Sequence, residues 1–466
     1  MKAFVIAILA LAAVQASAAE DKPFPKDLPP YAADKPLPVP KIDQQSLPNG
    51  LKVWLVQRSG YPKVNLELIV RGGTAADSAT ARGTASLMAN LLTEGTATRN
   101  SRQIAEALQT IGGDLAAGAT DDGVQVSGSA LRSHAAELVE LAADIARHPS
   151  FPKDEVELAK ANTLQGLQAQ EAQPGFQANR AFMASIYGEH PYRFTTLTPE
   201  IVKAATPETL AASHAARFRP DQALLVIAGD LDKAQINAAV KKAFGDWKAQ
   251  GTALPDVAAA PASAARQLLV IDRPNSVQST LRIGRPAVAA THAEVVPLTV
   301  ANVILGGSFH SRITRNIRED KGYTYSPGLG VSKLKAGGSL NFRGDVRSEV
   351  TGASINEVLY EFDRMGTTRV SDEELASAKR LATGTYLFQN QIQGAVVGTL
   401  ANNWLVGLPP EYLGTYVSKV DAVTADQVRE VSRKYFAAKD QTIVVVGDTA
   451  KIASDLAQFG TFAAPK

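Results

Sequence analysis

The chain of 466 residues carries 48 basic and 46 acidic side chains, a formal net charge of +2, with 45% hydrophobic residues, six His and no Cys. That length supports two or more packed domains, and the composition excludes a disordered, collagen-like or disulfide-stapled chain. Balanced charge provides no field to gather nucleic acid or acidic lipid, and the missing thiols leave only His and carboxylates for any metal site.

Lys2 precedes an apolar run over 4–14 and the small residues Ala16, Ser17, Ala18 and Ala19, so residues 1–19 read as a cleavable secretory signal. The expected location is periplasmic. No later stretch reaches about 18 uninterrupted apolar residues, so the mature chain is expected to have no membrane span. Residues 20–41 hold Pro23, Pro25, Pro29, Pro30, Pro36, Pro38 and Pro40. Such density forms neither helix nor central strand and reads as an extended arm, either a leader without structure or a strap along a partner or another domain.

Strand-like alternation follows at 51–56 and 64–70, then Ala/Leu-rich helical patterns at 84–92, 101–111, 134–146 and 153–170. Residues 251–265 (GTALPDVAAAPASAA) read as an Ala/Pro-rich linker, after which strands are predicted again at 267–271 and 279–283. An N-terminal domain is therefore expected over 42–250 and a C-terminal one over 266–460. The segments 206–230 and 424–448 align without gaps, sharing Thr206/Thr424, Phe218/Phe436, Val226/Val444, Gly229/Gly447 and Asp230/Asp448, which points to duplication. The expected class is α+β: two homologous domains, each an antiparallel-rich sheet backed by helices, in preference to a doubly wound fold.

Residues 83–96 read GTASLMANLLTEGT. This segment resembles the inverted-motif zinc peptidases of the pitrilysin and mitochondrial-processing-peptidase superfamily, whose frame is G-x-A-H-x-x-E-H-x-L-x-x-G-T. Gly83, Ala85, Leu92, Gly95 and Thr96 match that frame. Ser86 stands in place of the first His, Ala89 in place of the general-base Glu, and Asn90 in place of the second His. These positions, related as i, i+3 and i+4, share one helical face. The family's third ligand, a Glu, would fall at Gly166. The segments 101–116 (SRQIAEALQTIGGDLA) and 188–192 (GEHPY) extend the resemblance.

The chemistry of the four positions is unambiguous. A catalytic zinc site needs three His or carboxylate ligands and a base beside the bound water. Ser and Asn are feeble neutral ligands, Ala and Gly are none, and no two of the six His lie closer than fourteen residues to each other. This chain alone is expected to bind no metal and to hold no catalytic residue of its own. His134 and His214 read as surface or packing residues of helices, and His190, beside a Pro, as a structural hydrogen-bonding group. No G-x-S-x-G elbow or Walker loop is present.

The segment 305–326 (LGGSFHSRITRNIREDKGYTYS) resembles the same family's C-terminal signature, which implies that Arg318 and Tyr325 hold substrate over the zinc of another domain. Arg312 and Arg315, on the same face by i, i+3 spacing, are expected to make ion pairs or a cavity rim. The resemblance implies half of a clam-shaped chamber and a non-catalytic subunit of a periplasmic or secreted heteromeric zinc metallopeptidase. A homologous zinc-bearing subunit would supply Zn²⁺, ligands and base, and peptides would be the substrate. Two other readings use the same fold without proteolysis: a structural scaffold, and a stand-alone peptide-binding protein.

Overall fold

The computed structural model describes residues 41–465; the leader over 1–19 and residues 20–40 of the Pro-rich arm lie outside the described residues. Two sheets organise the chain. The first contains β1 (Ile42–Ser46), β2 (Lys52–Gln57), β3 (Lys63–Arg71), β4 (Asp114–Ala119), β5 (Gly123–Leu131) and β6 (Ala223–Gly229), in the order β1-β2-β6-β3-β5-β4. The second contains β7 (Leu268–Asp272), β8 (Gln278–Ala287), β9 (Gly328–Val331), β10 (Gly338–Arg347) and β11 (Thr442–Gly447), in the order β7-β11-β8-β10-β9. The continuous apolar runs of β6 (ALLVIAG) and β11 (TIVVVG) are buried along their whole length and lie inside their sheets.

Both sheets are antiparallel-rich with one parallel pair each, β2 with β6 and β7 with β11. The parallel strand is the last of each repeat. It returns after a long helical excursion, so a crossover and not a hairpin sets its direction. The aligned segments 206–230 and 424–448 adopt one arrangement. Thr206 accepts from the Thr209 N–H at 3.3 Å and Thr424 from the Gln427 N–H at 3.2 Å, each closing a capping box. Phe218 and Phe436 are then buried. The strand that follows has a parallel neighbour on one side and an antiparallel one on the other.

The helices are α1 (Thr84–Asn90), α2 (Ser101–Thr110), α3 (Ala135–Arg147), α4 (Lys153–Glu171), α5 (Pro174–Tyr187), α6 (Pro199–Ala204), α7 (Pro207–Arg217), α8 (Lys233–Phe244), α9 (Val295–Leu305), α10 (Thr351–Thr367), α11 (Asp372–Gln389), α12 (Gln393–Val406), α13 (Tyr412–Asp421), α14 (Ala425–Tyr435) and α15 (Thr449–Leu456). Alternation in the strands gives each sheet two apolar faces, and each face must be covered. Leu66 and Leu68 of β3 face a core shared with α1 and α3, whereas Leu281 and Ile283 of β8 face one shared with α9, α10 and α14.

The opposite faces are covered by exchange. Val396, Val397, Leu400 and Trp404 of α12, from the second half, pack on Trp54, Ile69, Leu224 and Val226 of the first sheet. Reciprocally, Ala178, Ala181 and Phe182 of α5 pack on Val444 and Val446 of the second sheet. A hydrogen-bonded bolt joins the halves again: the buried Tyr192 hydroxyl donates to Asp122 and accepts from the Ala336 N–H at 3.0 Å, while Asp122 also accepts from the Lys335 N–H at 2.8 Å. No helix among the described residues is long and apolar enough to cross a membrane.

Candidate functional site

The short helix α1 presents the positions Ser86, Ala89 and Asn90. Its start is built by Gly83, whose φ of +86° suits glycine and whose hypothetical Cβ would lie 2.8 Å from Leu197 Cγ. Asp77 then caps the helix from outside: one carboxylate oxygen accepts from the N–H groups of Gly83 (2.7 Å) and Ala85 (3.3 Å), and the other accepts from the Arg217 guanidinium. Both side chains are 3% exposed. Burial pushes the Asp77 carboxyl up, and Arg217 with the two backbone donors pulls it back. Arg217 Nε in turn donates to the Gly72 carbonyl at 2.6 Å, so α7 holds α1 through this pair.

On that helix Ala89 is 0% exposed, inside the core, while Ser86 is half-buried and Asn90 exposed. Gly166 lies in α4, exposed, and a side chain there would meet nothing within 4 Å. The residues present do not fit a zinc ion. Among the described residues no group of three or more His, Asp or Glu side chains is placed to hold one. His190 caps a turn through its Nδ1 and bonds the Ala258 carbonyl at 2.9 Å. His214 stacks on Phe218 with ring centroids 4.4 Å apart and bonds the Ala146 carbonyl at 2.8 Å; burial lowers its pKa to about 4.

The second cluster surrounds Arg318. Gly306 starts a turn in which a Cβ would lie 2.7 Å from Leu329 Cβ, so the turn backbone packs directly on β9. The chain then forms a wide π-helical segment, Thr314–Asp320. This widening changes which side chains share a face. Arg312 makes a two-pronged pair with Glu374 (2.7 and 2.6 Å), and Arg315 lines the same acidic-rimmed cavity. Arg318 instead turns to a separate groove, so the single face expected from i, i+3 spacing does not form.

In that groove the Arg318 guanidinium carbon lies 4.6 Å from the Phe309 ring centroid and 4.9 Å from that of Tyr325. The cation is thus held between two aromatic faces, and Tyr325 is 80% exposed. Neither the guanidinium nor the Tyr325 hydroxyl has a hydrogen-bond partner among the described residues. The groove, of about 670 Å³, is lined by Arg318, Arg343, Asn341 and several serines, with Asn179 and Met183 of α5 from the first half, and by no carboxylate. It offers donors and fixed positive charge to a peptide carbonyl or carboxylate.

Comparison with known proteins gives two family matches. Residues 52–200 match the description "Insulinase (Peptidase family M16)" and residues 204–382 match "Peptidase M16 inactive domain", together most of the chain. The chain belongs to the M16 peptidase family. An M16 relative in Bacillus subtilis, "Uncharacterized zinc protease YmxG", is 22% identical and aligns over 89% of this chain and 100% of its own length. The "Non-peptidase homolog YmxG" of Helicobacter pylori is 21% identical over 86% of this chain and 94% of its own. Among solved structures, the M16 inactive domain from Pseudomonas fluorescens superposes with a TM-score of 0.81 at 25% identity, covering 91% of this chain and 99% of that one. A Helicobacter pylori protease gives 0.82 at 16% identity, covering 88% and 100%.

The fold is therefore that of M16 proteins, and the matched inactive domain fits a non-catalytic, peptidase-like protein. Within this M16 chain the structure brings Arg318 and Tyr325 together and leaves Gly166 open on α4. Sequence reasoning missed Arg343 and Asn341. Their signal lay in the alternation of β10, where Leu340 and Phe342 point into the core and Asn341 and Arg343 fall on the other face.

Proposed function

We propose that the chain is a non-catalytic subunit of a periplasmic or secreted heteromeric zinc metallopeptidase, completing the chamber of a homologous subunit that supplies Zn²⁺, its ligands and the base. The observation that carries this reading is the unpartnered Arg318, held between Phe309 and Tyr325 above a groove without carboxylates. It occurs in a chain whose ligand and base positions are Ser86, Ala89, Asn90 and Gly166. A scaffold has no evident use for such a pair. In this role Arg318 and Tyr325 bind the peptide carbonyl and stabilise the oxyanion that develops on it, where loss of one donor typically costs about 10²–10³ in rate.

The test is reconstitution with a zinc-bearing homologue and a set of short peptides. Hydrolysis should depend on both chains and saturate at a fixed ratio. Arg318→Ala should lower kcat about 10²-fold or more, and Tyr325→Phe by a smaller factor, without loss of complex formation. Equal rates with and without this chain, or with either variant, would overturn the reading in favour of a scaffold. Chelator-sensitive peptidase activity of the isolated chain would overturn it too.

A further inference from the structure

A second cavity, of about 620 Å³, lies among α9, α11, α12 and α13 of the second half. Its walls are mostly apolar and aromatic, including Leu381, Tyr412 and Tyr416, and its size falls in the range of pockets that take small organic ligands. No Asp or Glu lines it. Its full-time cation is Lys333, which has no ion-pair or hydrogen-bond partner among the described residues. Lys333 is open to solvent on one side, yet the surrounding protein draws its ammonium below the ordinary lysine value, as expected when no anion compensates.

Asn403 supplies a second, independent sign. It is 6% exposed, lines the cavity, and its Nδ2 amide has no acceptor. A buried donor left unmade costs stability, and no acceptor among the described residues satisfies this one. The three tyrosines that line it cannot supply the anion: burial raises the Tyr416 phenol to about 12 and raises those of Tyr386 and Tyr412, so all stay neutral. The cavity also shares the turn Gly307, Ser308 and Phe309 with the Arg318 groove. The two cavities therefore border the same turn.

We infer that this cavity binds the C-terminal carboxylate of a short peptide ending in a large apolar residue, with Lys333 taking the carboxylate, Asn403 donating to a peptide or carboxylate oxygen, and the last side chain among the tyrosines. Choosing a peptide over a free aliphatic acid rests on the peptidase-subunit reading above and on the wall shared with the Arg318 groove. The site itself belongs to this chain and needs no partner subunit.

Calorimetric titration of the purified chain alone tests it, with three probes: N-acetyl-Ala-Ala-Phe as the free acid, the same peptide as its C-terminal amide, and decanoate. The free acid should bind at least tenfold more tightly than the amide. Lys333→Met, at an exposed position, should weaken the acid about tenfold or more, and Lys333→Arg should restore most of that loss. Equal binding of acid and amide, unchanged binding by Lys333→Met, or no binding of the acid would overturn the proposal. Binding of decanoate without the peptide acid would also overturn it. Because no partner is present, failure of peptidase reconstitution and failure of this site are separate results.

Discussion

Ala89, which the family resemblance aligns with a general base, is enclosed by the core, whereas at Gly166 the helix surface is open. The two substitutions back toward a zinc site therefore differ in cost. Ala89→Glu forces a carboxyl into a packed, 0% exposed position and should lower stability by more than about 3 kcal/mol, through overpacking and an unpaired buried charge. Gly166→Glu, in a helix and in open space, should be neutral or slightly stabilising, by up to about 1 kcal/mol. Urea unfolding of the two single variants reads the difference; similar stabilities would show that α1 retains room for the base. Glu67 carries a second prediction at this scale. On β3 it is 7% exposed and directed at α12, where a Cβ on Gly398 would lie 3.5 Å from its Oε2. Burial raises its pKa from 4.5 to about 7. The folded state thus holds this proton more tightly than the unfolded one, so its contribution is complete below about pH 4.5 and is lost as pH rises through about 7. The loss amounts to about 3 kcal/mol by pH 8. Glu67→Gln should accordingly match the wild type near pH 4 and exceed its melting temperature at pH 8; a difference that does not grow with pH would refute the assignment.

At the scale of elements, α1 depends on residues far from it in sequence. Arg217→Ala would strand the Asp77 carboxylate in a 3% exposed site and should cost about 3–5 kcal/mol in urea unfolding at pH 7. Adding Asp77→Asn to that variant should recover part of the loss, since a neutral amide oxygen still accepts from Gly83 or Ala85 and no charge is stranded; a further loss would contradict this account. Nothing in the local sequence announces this cap, because the N-cap residue is Gly83 and the capping carboxylate sits six residues earlier. Local periodicity did place other elements well. The predicted helices at 101–111 and 153–170 correspond to Ser101–Thr110 and Lys153–Glu171. The strand predicted at 279–283 extends to Ala287, because Arg285 breaks the apolar pattern yet its charge is served by the Lys434 carbonyl and Asp440. Of the residues singled out from the sequence, Arg318 and Tyr325 lie against each other, and Ser86, Ala89 and Asn90 lie on one short helix. Their placement was not legible where backbone geometry intervenes. The π-helical turn separates Arg318 from Arg312, and a reading at 3.6 residues per turn cannot foresee that.

For the whole molecule, the exchange of α5 and α12 between sheets makes each half a structural part of the other. A face of the first sheet carrying Trp54, Ile69 and Leu224 is covered by α12 together with Leu413 of α13 and Tyr386 of α11, all from the second half, and cutting the chain at the 251–265 linker would expose it. Trp404 is the largest side chain that α12 places on this face; it also stacks with Arg71 of β3, whose guanidinium carbon lies 4.5 Å from the ring centroid. Trp404→Ala should cost about 3–5 kcal/mol. The cost should appear on both sides of the linker. Hydrogen exchange should quicken in β3 and β6, which lie far from Trp404 in sequence, as well as in α12 itself, and unfolding should remain a single transition. Faster exchange confined to the second half, or separate melting of two units, would mean that the halves fold independently. That outcome matters for function, because the Arg318 groove is lined from both halves, by Asn179 and Met183 of α5 on one side and by Arg343 on the other. If α5 is fixed to the second sheet as tightly as α12 is to the first, the groove is a rigid feature of one folding unit, and Trp404→Ala should loosen α12 without moving Arg318 relative to α5.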